Sequence, residues 1–277
     1  MGGQRINNPL GFIQGRLLPK YNGRYQAHPI GHWEDEFQLA VDLGLDCIEF
    51  ILDYNDFQNN PLMTTYGRQH IRSVSKQTGV RVLSVCADYF MEAPLHSKNS
   101  IVFEKSQLIM ARLLDSSKEI GVTDIVVPCV DHSSIQDMVA RSRFEQKLTE
   151  VIPLAESLGV NLSLETDLCP EDFKKLLAQL NSPSVTVNYD IGNSASLGYD
   201  PEEELQAYGS RISDIHIKDR ILGGGSVKIG TGNADIPILF KLLDQFEYCG
   251  PLIMQAYRDD EGLVIFKEQL EWVRSCL

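Results

Sequence analysis

No apolar run in this sequence is long enough to cross a bilayer, and its opening, MGGQRINNPLGF, has no apolar leader-like stretch. A soluble, cytoplasmic chain with no membrane partner is expected. Basic residues are also in short supply, 25 Lys and Arg against 38 Asp and Glu, for a net charge of −13. The resulting field repels polyanions, and no local basic stripe offsets it, so nucleic acid is not an expected partner. The six cysteines (Cys47, Cys86, Cys129, Cys169, Cys249 and Cys276) form no C-x-x-C pair. Three sit in apolar runs, where a thiol behaves as a small buried hydrophobe, and all are expected to be reduced. After the first apolar run, GFIQGRLLP lacks the G-x-G-x-x-G fingerprint of a doubly wound nucleotide-binding sheet. Linkers, low-complexity tracts and repeats are missing as well, so nothing divides the chain.

What remains is an alternation of strand and helix signals. Short runs rich in Val, Ile, Leu or Cys fall at 10–15, 47–52, 80–87, 124–129, 161–166, 185–190, 212–218 and 251–256. Helical patterns lie between them near 33–43, 66–78, 103–120, 134–158, 170–180, 201–208, 236–247 and 262–275. Asp200 before Pro201, with Glu203 at the capping-box position, and Asp235 before Pro237 mark two helix starts. Eight strand-helix units over 277 residues predict an α/β fold, a single-domain (β/α)₈ TIM barrel spanning 1–277.

In such a barrel, ligands meet the carboxyl ends of the strands. Glu165, Asp190, His216 and Gln255 lie in the last positions of the runs NLSLET, VTVNYD, ISDIHIK and PLIMQA. Alternation along each strand puts Asn161, Ser163 and Glu165 on one face, and Thr186, Asn188 and Asp190 likewise, while Leu162, Leu164, Val185, Val187 and Tyr189 turn the other way. Ile253 and Gln255 share the inner face, with Leu252 and Met254 outside. Two carboxylates, an imidazole and an amide oxygen suit one divalent cation, Mn²⁺, Mg²⁺ or Zn²⁺, better than a soft metal. Taken singly, each is equally accounted for as a strand-end polar group bonded to a loop. The parity that turns His216 inward also buries Asp214, whose partner is not visible in the sequence, and brings Lys218 to the rim, where its ammonium would meet an anionic or enediolate oxygen.

The stretch from about 161 to 257 resembles the xylose isomerase-like barrel superfamily, most of all sugar-phosphate epimerases of the L-ribulose or L-xylulose 5-phosphate 3-epimerase type. The resemblance rests on the Glu165 strand end, D-I-G-N at 190–193, I-H-I-K-D at 215–219, GTGNAD at 230–235 and Y-C-G-P at 248–251. The first half agrees more loosely, through W-E-D-E-F at 33–37 and I-E in Cys47–Phe50. It implies that Glu165, Asp190 and His216 bind a cation, that Glu165 is an acid/base, and that the chain is a homo-oligomer acting on a small sugar or sugar phosphate through an enediolate. The family pattern has a second glutamate where this chain has Gln255, which can still coordinate a hard cation but cannot take a proton. Inversion beside a carbonyl then needs another group, with Asp88, His132, Lys218 and Glu49 as candidates, whereas isomerisation needs only Glu165. A lyase of the inosose dehydratase kind, an apurinic endonuclease relative and a non-catalytic sugar- or protein-binding barrel with a degenerate site are the alternatives.

Further candidates follow from position. Glu49, ending the second strand, is expected to bond substrate hydroxyls or to orient a ligand. Asp88 and His132 follow the third and fourth strands and Arg16 the first; each is a candidate substrate contact. The glycine-rich GGGSVKIGTG at 223–232, with Lys228 and Arg258, reads as a possible phosphate loop. Tyr54, Phe57, Tyr66, Tyr89 and Phe90 read as a lid or an intersubunit surface.

Overall fold

Eight short strands pair in parallel and close on themselves, because each has one face that must be covered by helices and one that must be filled from within. The computed structural model describes residues 8–277; residues 1–7, part of the opening read as lacking a leader, lie outside it. In chain order the strands are β1 (Leu10–Ile13), β2 (Cys47–Ile51), β3 (Arg81–Cys86), β4 (Asp124–Cys129), β5 (Asn161–Thr166), β6 (Val185–Asp190), β7 (Ile212–Ile217), β8 (Asp219–Arg220), β9 (Ser226–Val227) and β10 (Leu252–Met254). The barrel runs β1, β2, β3, β4, β5, β6, β7, β10 and back to β1, while β8 and β9 form a small antiparallel ribbon above it. Around it pack α1 (Asp35–Leu43), α2 (Thr65–Thr78), α3 (Tyr89–Glu92), α4 (Ser100–Ile120), α5 (Met138–Leu158), α6 (Pro170–Leu180), α7 (Ile191–Leu197), α8 (Pro201–Tyr208), α9 (Ile236–Gln245) and α10 (Leu263–Cys276). The (β/α)₈ TIM barrel read from the sequence is the fold, and among the described residues no helix is long and apolar enough to cross a membrane.

Side-chain alternation holds. Leu162, Leu164, Val185, Val187, Tyr189, Leu252 and Met254 join the core beneath the helices. A separate apolar cluster of Ile13, Cys47, Ile51, Cys86, Val126 and Ile253 fills the inside. The interior contributed by β5, β6 and β7 is polar instead, with Ser163, Thr186, Asn188 and Asp214 all buried. Asp214 Oδ1 accepts from Ile215 N at 2.9 Å and Oδ2 has no partner. Burial pushes this carboxyl well above its ordinary range, and the nearby Glu49 charge adds to the shift.

Local chemistry fixes the helix starts. Asp200 accepts from the backbone N–H groups of Glu202 and Glu203, and Asp235 from that of Ile238, the caps that the sequence pattern predicts. Two short helices were not visible as periodic runs, α3 and α7. The second exists because Asp190, ending β6, also caps the next turn through Asn193 N. Gln255 lies one residue past β10, yet its N–H still donates to Ile217 O at 3.0 Å and continues the ladder.

The turn leaving β1 hangs on Glu36 of α1, whose Oε1 accepts from Gly15 N at 2.8 Å and Leu17 N at 3.3 Å. Burial, opposed by these bonds and by Arg16 and Arg258, pushes this carboxyl from 4.5 to about 7. The folded state therefore holds a proton that the unfolded chain has released, so this contribution to stability is complete below pH 4.5 and is lost as pH rises through 7. Glu36→Gln keeps an acceptor and removes the titration. Urea unfolding at pH 4.5 and pH 8 is expected to show wild type losing about 3 kcal/mol relative to the variant over that interval; parallel pH profiles would show that Glu36 is ionised throughout.

Candidate active site

Register brings the strand-end residues together. Asp190 and His216 are direct partners across β6 and β7, and Glu165 ends the adjoining β5. One donor atom from each lies within 4.8 Å of the others, and all three residues are buried.

Each of these groups has one polar atom committed to a neighbour. Asp190 Oδ1 accepts from Asn193 N at 2.8 Å, which leaves Oδ2 facing Lys218 Nζ at 3.3 Å and His216 Nδ1 at 4.0 Å. His216 Nε2 meets Glu49 Oε1 at 2.8 Å, which leaves Nδ1, 3.2 Å from Asn188 Nδ2. Glu165 Oε1 accepts from Asn193 Nδ2 at 2.6 Å, and its Oε2 accepts nothing among the described residues. Gln255 Nε2 donates to Gln26 Oε1 at 3.1 Å, while its own Oε1 is buried without a partner.

Charge and burial act together here. Burial, then repulsion from Asp190, raises the Glu165 carboxyl to about 7, against the pull of His216 and Lys218. For His216, burial works against the imidazolium, but Glu49 outweighs it, with Glu165 and Asp214 adding, and its pKa stands at about 10. Glu49 is fully buried, takes Ser84 Oγ on its second oxygen at 2.7 Å, and does not line the cavity. Glu49 thus spends both oxygens on residues of other strands, one on His216 of β7 and one on Ser84 of β3.

Above these groups is a cavity of about 290 Å³. Glu165, Asn193, Lys218 and Arg220 line it, as do Arg16, Gln26, Asp88 and Gln255. Lys218 reaches it across Gly192, where a Cβ would sit 2.8 Å from Lys218 Cγ, so the glycine of D-I-G-N makes room for the lysine stem. Asn193 of the same motif accepts from both Lys218 Nζ at 3.3 Å and Arg220 Nη1 at 2.9 Å. Arg16 is held by Ala256 O, Tyr25 O and Gln26 Oε1. Asp88 accepts from Gln26 Nε2 at 2.8 Å and from Cys86 Sγ at 3.2 Å.

Other expected contacts are not brought to the cavity. His132 is exposed beyond its rim, Lys228 pairs with Glu268 at 2.8 Å on the surface, and Arg258 is engaged by the carbonyls of Gly15 and Leu18. The loop read as a phosphate cradle folds on its own carboxylate instead. Asp219 accepts from Gly230, Gly232 and Ala234 N at 3.0, 2.7 and 3.0 Å. A Cβ at Gly232 would meet Asp219 Oδ1 at 2.3 Å, which is why glycine stands there. Only Gly225 and Ser226 of this loop reach the cavity. The aromatics cluster elsewhere, Tyr54, Phe57 and Phe90 each 5.2–5.3 Å from Tyr89 and Tyr66 stacked on His70; Tyr25 and Met91 are the large uncharged side chains that line the cavity with Val130 and Pro128. Asn193 lies within D-I-G-N, a pattern that does not by itself assign it a role, whereas Tyr25 and Gln26 lie in an aperiodic stretch with no signal.

A family model described as xylose isomerase-like TIM barrel matches residues 37–276. L-ribulose-5-phosphate 3-epimerase UlaE of Escherichia coli is 29% identical over 262 residues, 90% of this chain and 92% of that protein. A putative L-ribulose-5-phosphate 3-epimerase UlaE of Shigella dysenteriae matches to the same extent, 29% over 262 residues. Among solved structures, 3-keto-D-glucoside 4-epimerase YcjR from E. coli has a TM-score of 0.75 at 17% identity, covering 97% of this chain and 100% of that one. A D-psicose 3-epimerase in the presence of D-fructose has a TM-score of 0.72 at 12% identity, covering 96% and 97%. These two likenesses speak to the barrel alone. With a family match running from α1 to the end of α10, the chain belongs to the xylose isomerase-like TIM barrel family.

Proposed function

We propose that the protein is a metal-dependent isomerase or epimerase that enolises a small sugar or sugar phosphate, with Glu165 as the group that takes the proton. It is an enzyme of the sugar isomerase and epimerase kind; the identity of the base, the ligand set and the substrate are the finer reading. One observation carries it: Glu165, Asp190, His216 and Gln255 each have one polar atom pinned by a neighbour and a second left unpinned or only weakly engaged. Pinning fixes the rotamer, so the remaining atom can act as a ligand without first being ordered.

These donors fit a hard or borderline divalent cation, and the buried Gln255 Oε1 without a partner is what a coordinating amide oxygen requires. When bound, the cation supplies positive charge to an oxygen on which negative charge develops. Once its Nδ1 proton is lost, Nε2–H donation to Glu49 would hold His216 in the tautomer whose Nδ1 lone pair can ligate. Glu165 lines the cavity and its Oε2 accepts nothing among the described residues, so this oxygen faces the space where a substrate proton would be taken. Asn193 holds Glu165 and Lys218 together, and the Lys218 ammonium offers charge to the same substrate oxygen. A cavity of about 290 Å³ fits one small polar molecule.

The relatives named L-ribulose-5-phosphate 3-epimerase support a ketopentose phosphate as substrate, and Lys218 with Arg220 would meet its anionic end. Six free cysteines fit a reducing, cytoplasmic setting. Tyr66, Ile101, Leu108 and Met138, all over 70% exposed on the neighbouring helices α2, α4 and α5, support self-association into a homo-oligomer.

Incubation of L-ribulose 5-phosphate, D-allulose and D-fructose with Mn²⁺ in D₂O tests the reading. Deuterium is expected to enter the carbon beside the carbonyl of at least one of them, to stop on chelation, and to slow by about 10²–10⁴-fold in Glu165→Gln. Undiminished exchange under both treatments would remove metal and base alike. Glu49→Gln is expected to weaken Mn²⁺ binding about 10- to 100-fold by isothermal titration, an unchanged affinity meaning that His216 needs no orienting. In the same titration Gln255→Ala is expected to lose about tenfold, or about 1.4 kcal/mol; wild-type affinity would strike Gln255 from the ligand set.

A further inference from the structure

The amide at position 255 leaves the site one proton carrier short for inverting a carbon, and two hydrogen-bonded groups lining the cavity show where another lies. Glu165, Asn193, Asp190, Lys218 and Arg220 form the first. Asp88, Gln26, Gln255 and Arg16 form the second: Gln26 Nε2 donates to Asp88 Oδ2 at 2.8 Å, and Gln26 Oε1 accepts from Gln255 Nε2 at 3.1 Å and Arg16 Nη2 at 2.8 Å. No hydrogen bond among the described residues joins one group to the other. Each therefore presents its own carboxyl group to the cavity, Glu165 in the first group and Asp88 in the second, where Gln26 ties it to Gln255.

We propose that Asp88 is the second acid/base of this enzyme, delivering and removing a proton on the Gln255 side of the substrate, so that the chain is a two-base ketose epimerase. The inference rests on the enolisation reading above and goes beyond it, since a one-base isomerase has no use for Asp88. Other candidates are used up. Glu49 is fully buried and does not line the cavity, Lys218 belongs to the hydrogen-bonded group of Glu165 through Asn193, and His132 lies outside. Asp131 lines the cavity but is exposed at its rim. Asp88 is half-buried and open to the cavity, and desolvation pushes its carboxyl above the ordinary range while Gln26 and Cys86 oppose the shift, so the group can carry a proton as well as accept one.

The step balances. Glu165 takes the proton from the carbon beside the carbonyl, and the C–H electron pair becomes the enediolate double bond as the carbonyl oxygen gains negative charge. Asp88 as the acid then gives its proton to the same carbon from the Gln255 side; the double-bond pair forms the new C–H bond and the carbonyl returns. Glu165 is left protonated and Asp88 ionised, and exchange with water restores both.

Asp88→Asn is isosteric and keeps an acceptor for Gln26. With Mn²⁺ in D₂O and the same three ketoses as probes, wild type is expected to invert one of them with solvent deuterium in the product. In Asp88→Asn, inversion is expected to fall about 10²–10⁴-fold, while the epimer whose hydrogen faces Glu165 still exchanges with retention at within about tenfold of the wild-type rate, which shows that the variant is folded and loaded. The opposite epimer is expected not to exchange. Inversion at the wild-type rate, or loss of exchange from both epimers together, overturns Asp88 as a proton carrier. Wild type that exchanges deuterium but never inverts overturns this proposal and leaves enolisation standing. Absence of exchange with every probe overturns both.

Discussion

Acidic groups gathered inside a closed barrel must each be neutralised without water, and that requirement organises the molecule. Glu49, Asp124, Glu165, Asp190 and Asp214 are all buried. Each meets the demand differently. Asp214 is pushed toward its neutral form. Asp124 is surrounded by donors from Thr123 and Asn161. Asp190 takes a helix N-terminus, where backbone N–H groups favour negative charge. Glu49 shares a hydrogen bond with His216, and removing either partner would leave an uncompensated polar group in the interior. Glu165 stands nearest to being unpaid in this sense, which is the condition of a group kept available for proton transfer.

The same requirement explains why the site is rigid. A carboxylate has two oxygens and an imidazole two nitrogens, and here one of each is spent on a structural partner. Asn193 does this for two groups at once, through its backbone N–H to Asp190 and its amide to Glu165. A comparable cluster behind β6, where Tyr189, Ser194 and Tyr208 all donate to Glu204 at 2.8 Å, braces α7 against α8 and so supports the residues of D-I-G-N from outside. Preorganisation of this kind places little reliance on the ligand to order its own binding groups.

Strands and their inner faces were legible in the sequence because alternation has a period of two and survives without knowledge of the tertiary structure. That is how Glu165, Asp190, His216 and Gln255 could be aligned from four separate runs. Lys218 followed from the same parity. Loops have no such period. Lys228 and Arg258 looked like anion contacts by composition, yet one is spent on Glu268 and the other on backbone carbonyls. Tyr25 and Gln26 reach the cavity from a segment whose path depends on the Glu36 anchor, and that contact joins residues about 20 apart. Glu49 lies in the middle of β2 rather than at its carboxyl end, below the cavity, because its depth depends on strand stagger, which a single sequence does not state.

The ribbon and loop between β7 and α9 close upon Asp219, whose two oxygens collect three backbone N–H groups. Those amides are consequently not available as a backbone nest for an incoming anion. A phosphorylated ligand has to be held by cationic side chains at the mouth instead, through Coulomb attraction that mobile ions attenuate, so affinity for such a ligand should decline as ionic strength rises while recognition of a neutral sugar would be nearly indifferent to it.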